Sequence, residues 1–216
     1  MRSIKLIVIT ISALSLLILV PSLATAEGVL SIYGGAVYPN NTDVKVRVNG
    51  ASGQVTERSD FDDTYTFGTR LTYWFTDPDL NADWFGMALD VSYYRYEDGP
   101  FNIDVDVVPI TGLIMLRYPG KFLQPYVGVG GGIFISWVDE TIDLSSYGLG
   151  SQHFSDTRAD FGFDARAGLA LKLGSISIFG EGRYTYFGPN YKTSNSEVEA
   201  DNFVTYHLLA GIAYHF

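Results

Sequence analysis

The residues best suited to chemistry are eight ionisable side chains set among alternating polar positions: Arg70, Asp90, Arg117, Asp164, Arg166, Lys172, Glu181 and Arg183. Carboxylates and cations in such a pattern can form an ion path, an acid–base cluster or a set of mutually neutralising pairs. Three histidines, His153, His207 and His215, raise a second chemistry, since a His-Ser-carboxylate site hydrolyses esters. They have no recognisable nucleophile partner, so no catalytic residue is expected. The glycine run from Gly128 to Gly132 lacks the Lys-Ser/Thr ending of a phosphate-cradling loop. Acidic clusters at Asp60, Asp62 and Asp63, at Asp139, Glu140 and Asp143, and at Glu197, Glu199 and Asp201 match no defined calcium loop. They read as solvated loop charge, with no metal and no cofactor expected.

Whatever these residues do, strands must position them. Beyond residue 26 the dominant signal is alternation with period two, in stretches far longer than the ~5–6 residues of an ordinary strand. Eight stretches are expected: Leu30 to Tyr38, Thr64 to Phe75, Trp84 to Tyr96, Val107 to Tyr118, Leu123 to Trp137, Asp160 to Leu173, Ser175 to Phe187, and Phe203 to Phe216. The clearest sets Phe161, Phe163, Ala165, Ala167, Leu169, Leu171 and Leu173 on one face. Opposite them fall Asp160, Gly162, Asp164, Arg166, Gly168, Ala170 and Lys172.

Composition narrows the class. Arg2 and Lys5, an apolar run from Leu6 to Val20, Pro21 and Ala24-Thr25-Ala26 have the layout of a secretory signal peptide, with cleavage expected after Ala26. Residues 1–26 are thus read as a leader and 27–216 as one domain. The absence of cysteine rules out disulfides and thiolate metal sites, and a formal charge of −10 argues against nucleic-acid partners. Aromatic residues at 15% with 23 glycines are unusual for a soluble domain and ordinary for a membrane barrel.

A soluble sandwich also alternates, so the connections decide. They run long, short, long, short, down to a tight Leu173-Gly174 turn, which is the habit of an up-and-down transmembrane barrel with both termini in the periplasm. The expected fold is therefore all-β: an eight-stranded antiparallel up-and-down transmembrane β-barrel, apolar outside and polar within. Girdle aromatics are expected at Tyr73, Phe75, Phe85, Tyr118, Tyr214 and Phe216 near one end, and at Tyr38, Tyr93, Trp137 and Tyr186 near the other. Trp74 and Trp84 fall out of phase and are expected to point inward. His153 is expected in an outer loop and His207 on the inner face.

Eight strands leave a lumen that side chains fill, so no open channel is expected. Buried charges must then pair. With Lys172 opposite Ser175, the last tight hairpin sets Arg166 opposite Glu181 and Asp164 opposite Arg183, and the second hairpin sets Arg70 opposite Asp90. The expected interior network is Arg70, Asp90, Arg117, Asp164, Arg166, Glu181 and Arg183.

The ending Gly211-Ile212-Ala213-Tyr214-His215-Phe216 resembles the C-terminal assembly signal of the small outer-membrane β-barrel superfamily, the OmpA-type transmembrane domain and its OmpX-like relatives. Gly211, Tyr214 and Phe216 carry the likeness, and Leu209 departs from it where a polar residue is usual. The segment from Pro125 to Gly132 resembles a family strand with a glycine-lined inner face. The resemblance implies residence in the bacterial outer membrane as a monomer, insertion by the barrel assembly machinery, and contact with outer-membrane lipid and lipopolysaccharide. It also implies that the outer loops are where a surface or host ligand would bind. The expected function is a structural or surface-interaction scaffold; the alternatives are a transporter of small hydrophobic compounds and, after it, an outer-membrane lipid hydrolase.

Overall fold

The structure is a computed structural model that describes residues 26–40, 42–48, 54–59, 63–75, 83–98, 103–143, 151–188, 190–193, 196–200 and 203–216. The expected leader, up to residue 25, lies outside the described residues, as do Asp60, Asp62 and Asp201. Twelve strands follow in order: β1 (Ala26–Pro39), β2 (Thr42–Val48), β3 (Gln54–Ser59), β4 (Thr64–Phe75), β5 (Phe85–Asp98), β6 (Ile103–Arg117), β7 (Leu123–Asp143), β8 (Ser151–Leu173), β9 (Ile176–Phe187), β10 (Asn190–Thr193), β11 (Ser196–Ala200) and β12 (Phe203–His215). No described residue is helical.

Eight of them close into a barrel in the order β1-β12-β9-β8-β7-β6-β5-β4, every neighbour antiparallel. Closure leaves no edge with unpaired backbone groups, the condition for a sheet to stand in lipid. The seam joins the first and last strands, with Gly28 N donating to Phe216 O at 3.0 Å and Phe216 N to Gly28 O at 2.9 Å. Both ends of the barrel chain thus meet at one mouth, here the terminus end.

The alternating pattern resolves inside out. Phe161 is 78% exposed on the outer wall, whereas Asp164 is fully buried and Arg166 nearly so. Outer-wall rings stack near the terminus end, Phe75 on Phe85 with centroids 5.7 Å apart and Tyr214 on Phe216 at 6.3 Å. Trp74 points inward as its phase requires. Trp84 does not: it precedes the first paired residue of β5, so phase no longer governs it, and it is exposed.

Three further expectations are corrected. Where long loops were expected, β2 and β3 and then β10 and β11 form hairpins, joined by β11–β2 pairing into a four-stranded sheet of order β10-β11-β2-β3. The strands β7 and β8 reach 21 and 23 residues, so Asp139, Glu140, Asp143 and His153 lie on strands and not in a loop. Apolar alternation stops near Trp137, but ladder hydrogen bonds do not need it to continue. The tight hairpin turns on Gly174 and Ser175, with Gly174 at φ 71°, a conformation open to glycine and costly for other residues. Leu173 then pairs with Ile176 and Lys172 with Ser177, two residues from the expected register. A slip of two keeps every side chain on its face but changes its partner.

Candidate functional site

The lumen is built in layers, because each strand contributes alternate residues at successive heights. On the terminus side lies an apolar layer that includes Val29, Trp74, Leu113, Met115, Phe179 and Ala213. On the far side lies another, of Val37, Tyr94, Tyr96, Val107, Phe134 and Phe187. The sequence pattern marks these inner aromatics by phase, yet the polar reading of that face passed over them. Glycines make room for them: a Cβ on Gly162 would strike the Phe134 ring, and one on Gly128 the Met115 sulfur.

Between the two layers sit three cations and three carboxylates. Arg166 binds Asp164 through two parallel bonds, Nε to Oδ1 at 3.0 Å and Nη2 to Oδ2 at 2.7 Å. Its Nη1 reaches Asp90 Oδ2 at 2.8 Å and Glu181 Oε1 at 3.3 Å. Arg183 Nε donates to Asp164 Oδ2 at 2.7 Å and its Nη1 to Ser92 Oγ at 2.9 Å. Arg70 Nη1 donates to Glu181 Oε2 at 2.6 Å, and Tyr33 and Tyr126 hydroxyls donate to Asp90 and Glu181, each at 2.8 Å. The Arg70 guanidinium also lies 5.3 Å from the Phe179 ring centre.

Six of the seven residues named from sequence for this network are therefore together, with partners that differ from the direct cross-strand ones. Arg70 does stand opposite Asp90 in the ladder, but it bonds Glu181 across the lumen. Arg166 stands opposite Arg183, not Glu181, and Asp164 opposite Thr185, not Arg183. In so narrow a barrel, long side chains reach across the axis as easily as along the wall. Arg117 is the seventh, and it does not join them. As the last residue of β6 it belongs to the terminus mouth, where it stacks 4.4 Å from the Trp74 ring centre.

That mouth holds a second constellation, centred on Glu27, which the sequence reading left unmarked beside the expected cleavage point. Glu27 accepts from Arg117 Nη2 at 2.6 Å and from Lys172 Nζ at 2.6 Å. Its Oε1 is 2.8 Å from His215 Nδ1, and His215 Nε2 is 2.7 Å from Ser177 Oγ. These residues come from β1, β6, β8, β9 and β12; the β8–β9 and β9–β12 ladders bring Lys172, Ser177 and His215 together, and barrel closure adds Glu27. The other described inner histidine, His207, faces the Tyr94 ring and Thr185 Oγ1 on the far side.

The Gly211, Tyr214 and Phe216 ending lies on the seam strand. A Cβ on Gly211 would meet Ile32 O and the Phe179 and Tyr33 side chains, while Tyr214 and Phe216 present their rings outward.

A family model described as an outer membrane protein beta-barrel domain matches residues 10–216. Among solved structures, the chain is similar to the outer membrane protein OprG from Pseudomonas aeruginosa, at 16% identity over 89% of this chain and 96% of that one, with a TM-score of 0.54. It is also similar to Neisserial surface protein A, at 16% identity over 88% and 99% of the two chains and a TM-score of 0.44. A third likeness is to Ail, the attachment invasion locus protein of Yersinia pestis, solved with the heparin analogue sucrose octasulfate, at 16% identity, 87% and 99% coverage and a TM-score of 0.39. No curated protein matches the chain.

Proposed function

The chain belongs to the outer membrane protein beta-barrel domain family, and from that premise we propose that it is a plugged barrel whose work is done by the sheet it carries beyond the membrane. Family membership gives a bacterial outer-membrane barrel. It leaves open what that barrel does, and the reading offered is a structural and surface-interaction scaffold.

Two features support it. The lumen is closed at mid-height, because the side chains of Arg166, Arg183, Asp90 and Asp164 have no exposed surface. Solute passage would have to break charge pairs that have no water to turn to. The observation that carries the reading is at the other end. Pairing of β11 with β2 welds the two connections flanking the seam into one four-stranded sheet. In that register Glu197 stands opposite Arg47 and Glu199 opposite Lys45. A loop kept as a sheet presents a defined surface, and barrels of this kind place their function in the outer connections. Lipopolysaccharide and the surfaces of other cells are the partners in reach, with the chain acting as a monomer that the barrel assembly machinery inserts.

The test has two arms. The purified barrel in a planar bilayer is expected to give no steady conductance; a large, stable conductance would sink the plug. Replacing residues 41–62 and 189–202 by short turns is expected to leave a barrel that still migrates differently before and after boiling. The same variant is expected to abolish the difference in lipopolysaccharide or cell binding between cells with and without the chain. Undiminished binding would remove the sheet from the account.

A further inference from the structure

We propose that the terminus mouth of the barrel carries a serine esterase site, with Ser177 as nucleophile, His215 as base and Glu27 as the group that orients it. The inference is independent of the surface role above and rests on the bonding directions at His215. A carboxylate only accepts hydrogen bonds, so the 2.8 Å contact with Glu27 requires the proton on His215 Nδ1. In the neutral ring the other nitrogen, Nε2, is then a bare acceptor, and the Ser177 hydroxyl 2.7 Å away donates to it. This is the arrangement that activates a serine: hydroxyl proton aimed at an imidazole whose far side is fixed by a carboxylate. Lys172 and Arg117, each 2.6 Å from Glu27, keep that carboxylate charged.

A cavity of about 50 Å³ is lined by Ser177, His215 and Arg117. Trp74, Met115 and Phe179 supply apolar wall. One water needs ~10–15 Å³, so the space admits a group of a few heavy atoms, the size of an acetyl group. Arg117 provides the observation that points to a ligand. Its side chain is 4% exposed, and Nη1 has no hydrogen-bond partner although the rest of the guanidinium is engaged. An unpaired cationic donor on the cavity wall suits the oxygen that becomes negative when a carbonyl is attacked.

The substrate class is therefore a short-chain acyl ester, acyl group inward. Ser177 Oγ bonds to the carbonyl carbon as its proton passes to His215 Nε2, and the carbonyl electron pair moves to oxygen beside Arg117. Collapse breaks the ester C–O bond, and the alcohol leaves with the proton from His215. A water molecule, deprotonated by the same nitrogen, then attacks the acyl-serine. The acid departs and Ser177 regains its proton. Ester and water become acid and alcohol, and nothing is oxidised or reduced.

The experiment uses the folded full chain in detergent, with 4-nitrophenyl acetate as substrate and a small fluorophosphonate as covalent probe, the labelled residue being mapped by mass spectrometry. The expected results are a label on Ser177, nitrophenolate release above the detergent blank, and a fall of about a hundredfold or to the blank in S177A. H215Q is expected to lose both readouts, with the boiling-dependent gel shift reporting that each variant is folded. A label elsewhere or nowhere, or S177A turning over as fast as the unaltered chain, overturns the site and leaves the cluster as a latch across the mouth. Should S177A fail to fold, the mapped label on the unaltered chain decides alone.

Discussion

Asp164 shows how much one residue of the plug is asked to do. It accepts from Arg166 at 2.7 Å and from Arg183 at 2.7 Å while fully buried, so it balances part of two guanidinium charges at once. Replacing it with alanine takes the two-bond partner from Arg166 and the Nε acceptor from Arg183, leaving those donors buried without water. Removing one partner of a buried pair costs about 3–5 kcal/mol, because the remaining charge is left uncompensated. D164A is expected to lose at least the lower figure in urea unfolding from detergent. D164N keeps the shape and one acceptor oxygen, and is expected to lose less. Equal midpoints for D164A and the unaltered chain would mean that the plug contributes nothing to stability. Ala167, the outward neighbour of Arg166, has no such constraint, which marks the difference between the two faces of one strand.

Among the elements, the β8–β9 hairpin ties register to a single glycine. Gly174 at φ 71° sets the two-residue turn, and every pairing up to Gly162 opposite Phe187 follows from it. A side chain in that region of backbone space costs about 1–2 kcal/mol, and no neighbouring atom would obstruct an added Cβ, so the cost is conformational. G174A is expected to lower unfolding stability by about 1 kcal/mol with the fold unchanged; no loss would show that the turn does not need its glycine. The same hairpin explains what could be read from sequence. Period-two alternation identified β8 and β9 and assigned Asp164, Arg166, Glu181 and Arg183 to the inside, since face depends only on parity. Partners depend on which two residues turn, and the run Leu173-Gly174-Ser175 is compatible with more than one choice. Glu27, Ser177 and His215 were harder still. They lie 150 and 38 residues apart along the chain: the β9–β12 ladder makes Ser177 and His215 neighbours, and the closing seam adds Glu27. The outer hairpins β2–β3 and β10–β11 lack apolar alternation of the length that identifies a barrel strand, so they passed as loops.

For the molecule as a whole, everything depends on which side of the wall meets lipid. Val127 stands on the outer wall at 50% exposure, and in the ladder it faces Ala167, one residue from the plug's Arg166. That places it level with the middle of the barrel. Tyr118 is also outward, at 69% exposure, but lies just past the end of β6 at the terminus mouth. A soluble barrel would treat arginine at either position as a harmless surface change. A barrel in a bilayer would not: arginine on the lipid face costs about 2–4 kcal/mol at mid-depth and about 0–1 kcal/mol near the interface. V127R is therefore expected to destabilise the liposome-inserted protein by the larger amount, and Y118R by the smaller, in denaturant unfolding from vesicles. The ranking is the test, because loss of packing alone would not follow depth, and Tyr118 is the larger side chain to lose. If Y118R were the more damaging variant, the wall would not be immersed as the family fold requires, and the plug would have to be reread as the exposed centre of a different assembly.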